Sequence, residues 1–368
     1  MSAHTNDGTA MGRGSRADGV NEPQPALYPT HFDDLRPRRP IGEARWLNAS
    51  ACLAHPRAIL SFRKHLGFHP NIALPVTYHE KMYWRRIFDH DPAFNIFCDK
   101  LATRRLFEGL DEPVRIPKLL WTGSEPDALP GELMRAGVVV KLNAGCRQNW
   151  FFAERGADRD AFRRETRKWL ARPYGGKHVQ WGYRDVERRL FAEEEIGGGA
   201  PLDELKVHLF GGKVYYTVLY RAEKSPESQA GIYDRDGKRL ELMTSMAWFR
   251  PDKRLPPDYP APDCYAAAMR AAEEIARDTD YLRVDFMVAD GVLYAGEATV
   301  YPSAGHMTMS HRSIMNDMAR VWDLRRSWFL RAPQQGWKAR YQARLRAFIE
   351  EEQAAYEALM SERDYQRA

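Results

Sequence analysis

The sequence predicts an α+β or α/β protein with a helical N-terminal region and a long C-terminal helix. Three observations carry this. Helical periodicity runs from about residue 44 to Leu110, and again after Pro333. Between them lie runs rich in β-branched and aromatic residues, two of which fold back on themselves at glycine turns. Strands and helices then alternate, which excludes a helical bundle and a β-sandwich.

Residues 1–40 are rich in Gly, Pro, Asp and Arg without apolar periodicity, and read as a disordered tail. A helical region follows over 41–95. "RWLNASACLAHPRAILSFRKHLG" opens it, and "TYHEKMYWRRIFDHDPAFNIFCDKLATRRLFEGL" predicts two or three helices ending at Leu110. A short strand is expected between Val114 and Trp121, and a buried strand and loop in "GVVVKLNAG". "DRDAFRRETRKWLARPY" is an amphipathic helix with Phe162, Thr166, Trp169 and Leu170 on one side. "RRLFAEEEI" predicts a strand ending in acids, and "ELKVHLFGGKVYYTVLYRAE" a hairpin about Gly211-Gly212. "DCYAAAMRAAEEIARDT" is a helix leading into a second hairpin, Tyr281–Thr299. After Pro333, Trp337, Tyr341, Leu345, Phe348 and Leu359 mark the stripe of the last helix. That stripe either packs on its own domain or meets a second copy or a partner.

Composition narrows the function. Of 368 residues 29% are charged, and no apolar run approaches the roughly 20 residues of a membrane span. The N-terminus has no apolar signal core. Cys52, Cys98, Cys146 and Cys264 are scattered, as expected for reduced thiols and a cytoplasmic location. The net charge of +5 is small for this length, and arginine is not clustered with glycine or aromatics, which argues against nucleic acid as a partner.

The second hairpin carries charges that a half-buried hairpin has no use for. A three-residue loop, Ala289-Asp290-Gly291, would pair Val288 with Val292. Arg283 then faces Glu297, and Asp285 faces Ala295. One face would hold Arg283, Asp285, Met287, Leu293, Ala295, Glu297 and Thr299. The other would hold Val284, Phe286, Val288, Val292, Tyr294 and Ala298. Two carboxylates as diagonal neighbours need a cation between them. Arg283 is one candidate and a divalent metal the other. A two-residue Asp290-Gly291 turn would shift the register and put the carboxylates on opposite faces.

Lys141 interrupts an apolar strand. A buried ammonium needs an anion, either a nearby acid or a phosphate aided by the loop Asn143-Ala144-Gly145-Cys146. The loop is not a P-loop, and no GxGxxG follows a strand. Glu193-Glu194-Glu195 is either a solvated face or the entry to a hinge at "IGGGAP". Glu204, Lys206 and His208 share one strand face, open to solvent or lining a ribose and a phosphate. No serine elbow or HExxH is present.

In order along the chain stand "PVTYHEKMYW" at 75–84, then Asp99, Lys100 and Arg104. Val140, Lys141, Asn143, Gly145 and Asn149 follow, then Ala192, Glu193 and Ile196, then Glu204-Leu205-Lys206 with Phe210. Arg283, Asp285, Glu297, Thr299, Pro302 and Gly305 close the series. This order resembles the ATP-grasp superfamily, and within it the TupA-like (teichuronopeptide-biosynthesis) ATP-grasp family. Cys146-Arg147 replaces the small Ser-Gly of that family's phosphate loop, and Glu204 stands for Asp.

The resemblance implies an ATP-grasp fold, with two α+β subdomains over 96–191 and 192–332 gripping ATP and a C-terminal helix over 333–368. Lys100 and Lys141 would contact phosphates, beside Asn143 and Gly145. Glu193, Glu194 and Ile196 would line the adenine, Glu204 would meet the ribose, and Lys206 would lie near the nucleotide. Asp285, Glu297 and Thr299 would hold Mg²⁺ or Mn²⁺, and Arg283 would be catalytic, steadying the transferred phosphoryl group. The activity implied is an ATP-dependent carboxylate–amine ligase working through an acyl phosphate in cell-surface polysaccharide or peptide-conjugate assembly, with small-molecule or glycan carboxylates and amines as substrates. A kinase on a sugar or small alcohol, or a non-catalytic nucleotide-binding scaffold, would use the same grip.

Overall fold

The computed structural model describes residue 42 and residues 44–367, apart from 177–178, 201, 224, 242–250, 308 and 310–311. The tail read over residues 1–40 lies outside them. Helices α1 (Ala44–Ala54) and α2 (Pro56–Leu66) open the described chain, α2 starting on a proline and ending at a left-handed Gly67. Helix α3 (Tyr78–Phe88) begins with a reciprocal cap. Thr77 accepts from the Glu80 amide, and Glu80 reaches back to the Thr77 amide. Helices α4 (Ala93–Cys98) and α5 (Lys100–Glu108) follow, the latter capped by Asp99.

Four strands build a small sheet: β1 (Leu119–Gly123), β2 (Val138–Leu142), β3 (Asn149–Phe151) and β4 (Leu190–Glu194). Between β3 and β4 lie α6 (Phe152–Arg155) and α7 (Arg159–Ala171). The strand order is β1-β4-β2-β3. Val138, Val140, Leu190 and Ala192 face one side and share a core with Phe162 and Trp169. Lys141, Phe191 and Glu193 face the other. The first strand starts later than the sequence predicts. Pro117 has no N–H for a ladder, and Arg115 bonds instead to the second hairpin, through Leu293 O and the Ala295 amide. The boundary expected between 191 and 192 falls inside β4.

The large sheet takes β5 (Asp203–Phe210), β6 (Lys213–Arg221), β7 (Gln229–Tyr233), β8 (Arg239–Leu240), β9 (Tyr281–Ala289) and β10 (Val292–Thr299). Its order is β10-β9-β5-β6-β7-β8. Helix α8 (Tyr265–Ala276) buries Ala268, Met269 and Ala272 in the same core as Leu205, Val207, Val284 and Phe286. That leaves Lys206, Arg283 and Asp285 on the opposite face.

Helices α9 (Arg312–Val321), α10 (Trp328–Arg331) and α11 (Gly336–Arg367) complete the chain. Tyr341, Leu345 and Phe348 of α11 are buried in the large-sheet core, contributing about 1.5–3 kcal/mol each. Tyr341 accepts from the Trp84 indole and donates to Ala73 O. The last helix therefore packs on its own chain. Trp337, expected in the stripe, is exposed, and the Leu359 side chain lies outside the described ones.

Candidate active site

The charged hairpin reaches its geometry by a route that the sequence does not predict. The turn holds two residues, Asp290 (φ 49°) and Gly291 (φ 73°), so Ala289 pairs with Val292 and Phe286 with Ala295. By alternation alone Asp285 and Glu297 would then point to opposite faces. A bulge between Ala295 and Glu297 inserts Gly296 and restores the phase. Glu297 therefore lies directly opposite Asp285, and Arg283 opposite Thr299. Leu293 and Ala295, expected on the charged face, are buried opposite Val288 and Phe286. Gly296 permits the bulge, because a Cβ there would stand 2.4 Å from the Asp285 carbonyl oxygen.

Asp285 also pairs with Lys206 of β5, so Lys206, Asp285 and Glu297 form one row across three strands. Arg283 grips Asp285 with two bonds of 2.6 Å, donates to Thr299 Oγ1 at 3.3 Å and stands 3.5 Å from Glu297. Burial raises the Asp285 pKa, opposed by Arg283 and Lys206. Burial would raise Glu297 too, but Lys100, Arg283 and Lys206 outweigh it and bring it down to about 2. The opposed carboxylates thus differ in proton affinity, burial raising Asp285 and the surrounding cations lowering Glu297.

Lys100, at the start of α5, supplies the other wall. Its ammonium lies 3.3 Å from Glu297 and also donates to Gly145 O. In that loop Cys146 and Arg147 are exposed, Arg147 has φ 61°, and Cys146 Sγ lies 2.9 Å from the Tyr174 hydroxyl. Asn143 bonds to Asp99 Oδ1, Glu187 O and the Arg189 amide, so its side chain is fully used in holding the loop. Lys141 meets an acid, Glu193, at 2.6 Å, and Arg104 meets the second oxygen of that carboxylate at 2.8 Å. Glu194 is exposed, and its amide donates to Lys118 O. Ile196 opens a short turn in which Gly197 and Gly198 are left-handed. Lys206 is paired with Glu223 and lies 3.8 Å from Glu204.

Asp285 and Glu297 fit a hard divalent cation that takes few protein carboxylates and shares the rest of its shell with phosphate and water. Among the described residues no three His, Cys, Asp or Glu side chains converge as an all-protein metal cage.

A family model described as TupA-like ATP-grasp matches residues 80–318, which contain both sheets and the charged hairpin. The chain belongs to the TupA-like ATP-grasp family. None of the curated proteins matches it. Solved structures similar to it include the ATP-grasp ligase PsnB complexed with minimal precursor, at 14% identity, covering 63% of this chain and 61% of that one with a TM-score of 0.34. A D-alanine–D-alanine ligase from Bacillus anthracis complexed with ATP matches at 18% identity, covering 62% and 67%, with a TM-score of 0.34. The macrocyclase MdnC bound with precursor peptide MdnA from Microcystis aeruginosa matches at 13%, covering 78% and 74%, with a TM-score of 0.32. The chain spans less than two thirds of PsnB's length in that comparison.

Other residues of this ATP-grasp chain gain roles that the sequence alone does not assign. Arg104, known from the sequence only as a motif match, clamps Glu193; Glu223, expected at the end of a strand, holds Lys206. His208 is buried, pairs with Arg283 across the strands, and lies 2.9 Å from the Tyr281 hydroxyl. Burial, then Arg283 and Lys206, hold its pKa well below the ordinary value, so it is neutral. No local pattern marks Glu223, because its partner lies on the facing strand 17 residues away.

Proposed function

We propose that this protein is an ATP-dependent carboxylate–amine ligase. The observation that carries the reading is the opposition of Asp285 and Glu297 beside Arg283, with Lys100 of α5 reaching Glu297. The small-sheet and large-sheet units are the two subdomains that grip the nucleotide. Lys100 and Lys141 contact its phosphates, and the Gly145 loop covers them. Glu193 acts by orienting Lys141, while Glu194 and Ile196 offer backbone groups to the adenine. Glu204 accepts from the ribose, and Lys206 balances charge in the row with Asp285.

Asp285 and Glu297, with Thr299 beside them, would hold Mg²⁺ or Mn²⁺, which would supply charge neutralisation for the phosphate oxygens. A substrate carboxylate oxygen attacks the γ-phosphorus as the bond to ADP breaks, giving an acyl phosphate. The amine then attacks the acyl carbon, loses a proton, and phosphate leaves with the C–O bond electrons. Arg283 acts on the transferred phosphoryl oxygens, a fixed cation that needs no reorganisation. The substrates we propose are an amino acid amine and a uronic acid carboxylate of a cell-surface polymer.

Hydroxylamine tests the reaction class. Given the acid, ATP and Mg²⁺, the ligase should accumulate a hydroxamate, because hydroxylamine traps acyl phosphates. A phosphorylated alcohol without hydroxamate, under conditions that release ADP, would make the protein a kinase. Nucleotide binding without turnover across panels of acids and amines would make it a scaffold.

A further inference from the structure

The first two helices carry a surface that the proposed catalysis does not use. Trp46 and Leu53 are 81% and 80% exposed, and lie two turns apart on the outward face of α1. That face is opposite Ala44, Asn48 and Ala51, which are buried. On α2, Leu60 is 62% exposed, while Ala58, Ile59 and Phe62 turn inward. Arg57, Arg63 and Lys64, at three and four residues from Leu60, share its outward face. These three are the most exposed large apolar side chains among the described residues.

Along the chain the charge near them is mostly positive, with Glu43 directly before α1. Residues 44–79 contain Arg45, Arg57, Arg63 and Lys64 and not one of the chain's 50 acids.

We infer that the outward sides of α1 and α2, with Trp46, Leu53, Leu60 and their flanking cations, dock the protein peripherally on an anionic lipid surface. Apolar side chains set among cations, with tryptophan at the rim, suit the boundary between headgroups and acyl chains. The cations draw anionic headgroups and the apolar tips enter beneath them. No described helix is long and apolar enough to cross a bilayer. A second copy is disfavoured as the occupant. A two-fold contact would set the patch that holds Arg57, Arg63 and Lys64 against the same positive patch, with no acid in residues 44–79 to offset it.

Sedimentation of the full chain with vesicles tests this. Binding is expected to phosphatidylglycerol vesicles and not to phosphatidylcholine vesicles, and should weaken as salt rises. The triple variant Trp46→Ser, Leu53→Ser, Leu60→Ser should partition at least about tenfold more weakly with an unchanged melt, since these tips touch water. Arg57→Glu with Lys64→Glu should lose binding while keeping the apolar tips. Absence of binding to phosphatidylglycerol vesicles, or binding undiminished in the triple variant, overturns the inference. So does a dimer in light scattering that the triple variant dissociates, which would give the face to a second copy.

Discussion

Two glutamates of the family-like pattern, Glu80 and Glu297, have opposite fates. Glu80 is fully buried, and its oxygens accept from the amides of Asn71, Val76 and Thr77 and from the Thr77 hydroxyl. The residues on either side of it are likewise tied to backbone. Lys81 donates to Ala319 O and Trp322 O, and His79 bonds to Met307 O at 2.8 Å. Glu297 is partly open, faces a second carboxylate, and is met by cations on two elements. A carboxylate whose lone pairs are filled by backbone donors ties loops together. One held beside a like charge by cations keeps coordination capacity for a ligand.

The largest expected effect would break this contrast if it failed. Asp285→Asn and Glu297→Gln should each lower turnover on the order of 10²-fold or more, with the melt little changed. Equal loss of stability and activity would make the hairpin structural, like the Glu80 loop. Glu80→Gln should do the reverse. It turns an amide N–H₂ toward donors and should cost on the order of 3 kcal/mol of stability, read by denaturant melts. The folded fraction should still bind nucleotide normally.

Gly296→Ala sharpens the contrast, because it attacks the register and leaves both carboxylates in place. The added Cβ has no room against the Asp285 carbonyl, so about 1–3 kcal/mol of stability should go, together with most of the turnover. Unchanged activity would mean that the bulge does not position Glu297.

The smallest effect belongs to His79, whose pKa burial lowers to about 4, against the bond to Met307 O. The unfolded chain binds more protons than the folded one between that value and about 6.5. Stability from the neutral ring is therefore complete above about 6.5 and is lost as pH falls toward 4. His79→Gln should flatten that part of the pH–stability curve by roughly 1–3 kcal/mol. Nucleotide affinity measured over the same range should not follow it.

Much of this is legible in the chain. Local signals place α1 to α5, α7, α8, β2, β4 and both glycine hairpins, because caps, glycine turns and apolar periods act over a few residues. The short strands β3, β7 and β8 and helix α9 are not predicted. The three residues of β3 and two of β8 offer too little alternation, and β7, as long as β2 and β4, carries a glycine and lacks their apolar run.

The sequence by itself supplied the candidates: Lys100, Lys141, Glu193, Lys206, Arg283, Asp285 and Glu297 stand in the order that resembles the family's motifs. Tertiary structure alone decided how they pair. The sequence predicts Arg283 opposite Glu297, whereas the two-residue turn and the Gly296 bulge put Asp285 there. Lys141 is open between an acid and a phosphate until β2 and β4 meet and bring Glu193 to it, 52 residues away. The physical reason is range. Backbone preference and periodicity act within a turn or two, while a bulge or a buried ion pair depends on a partner strand that local sequence does not contain.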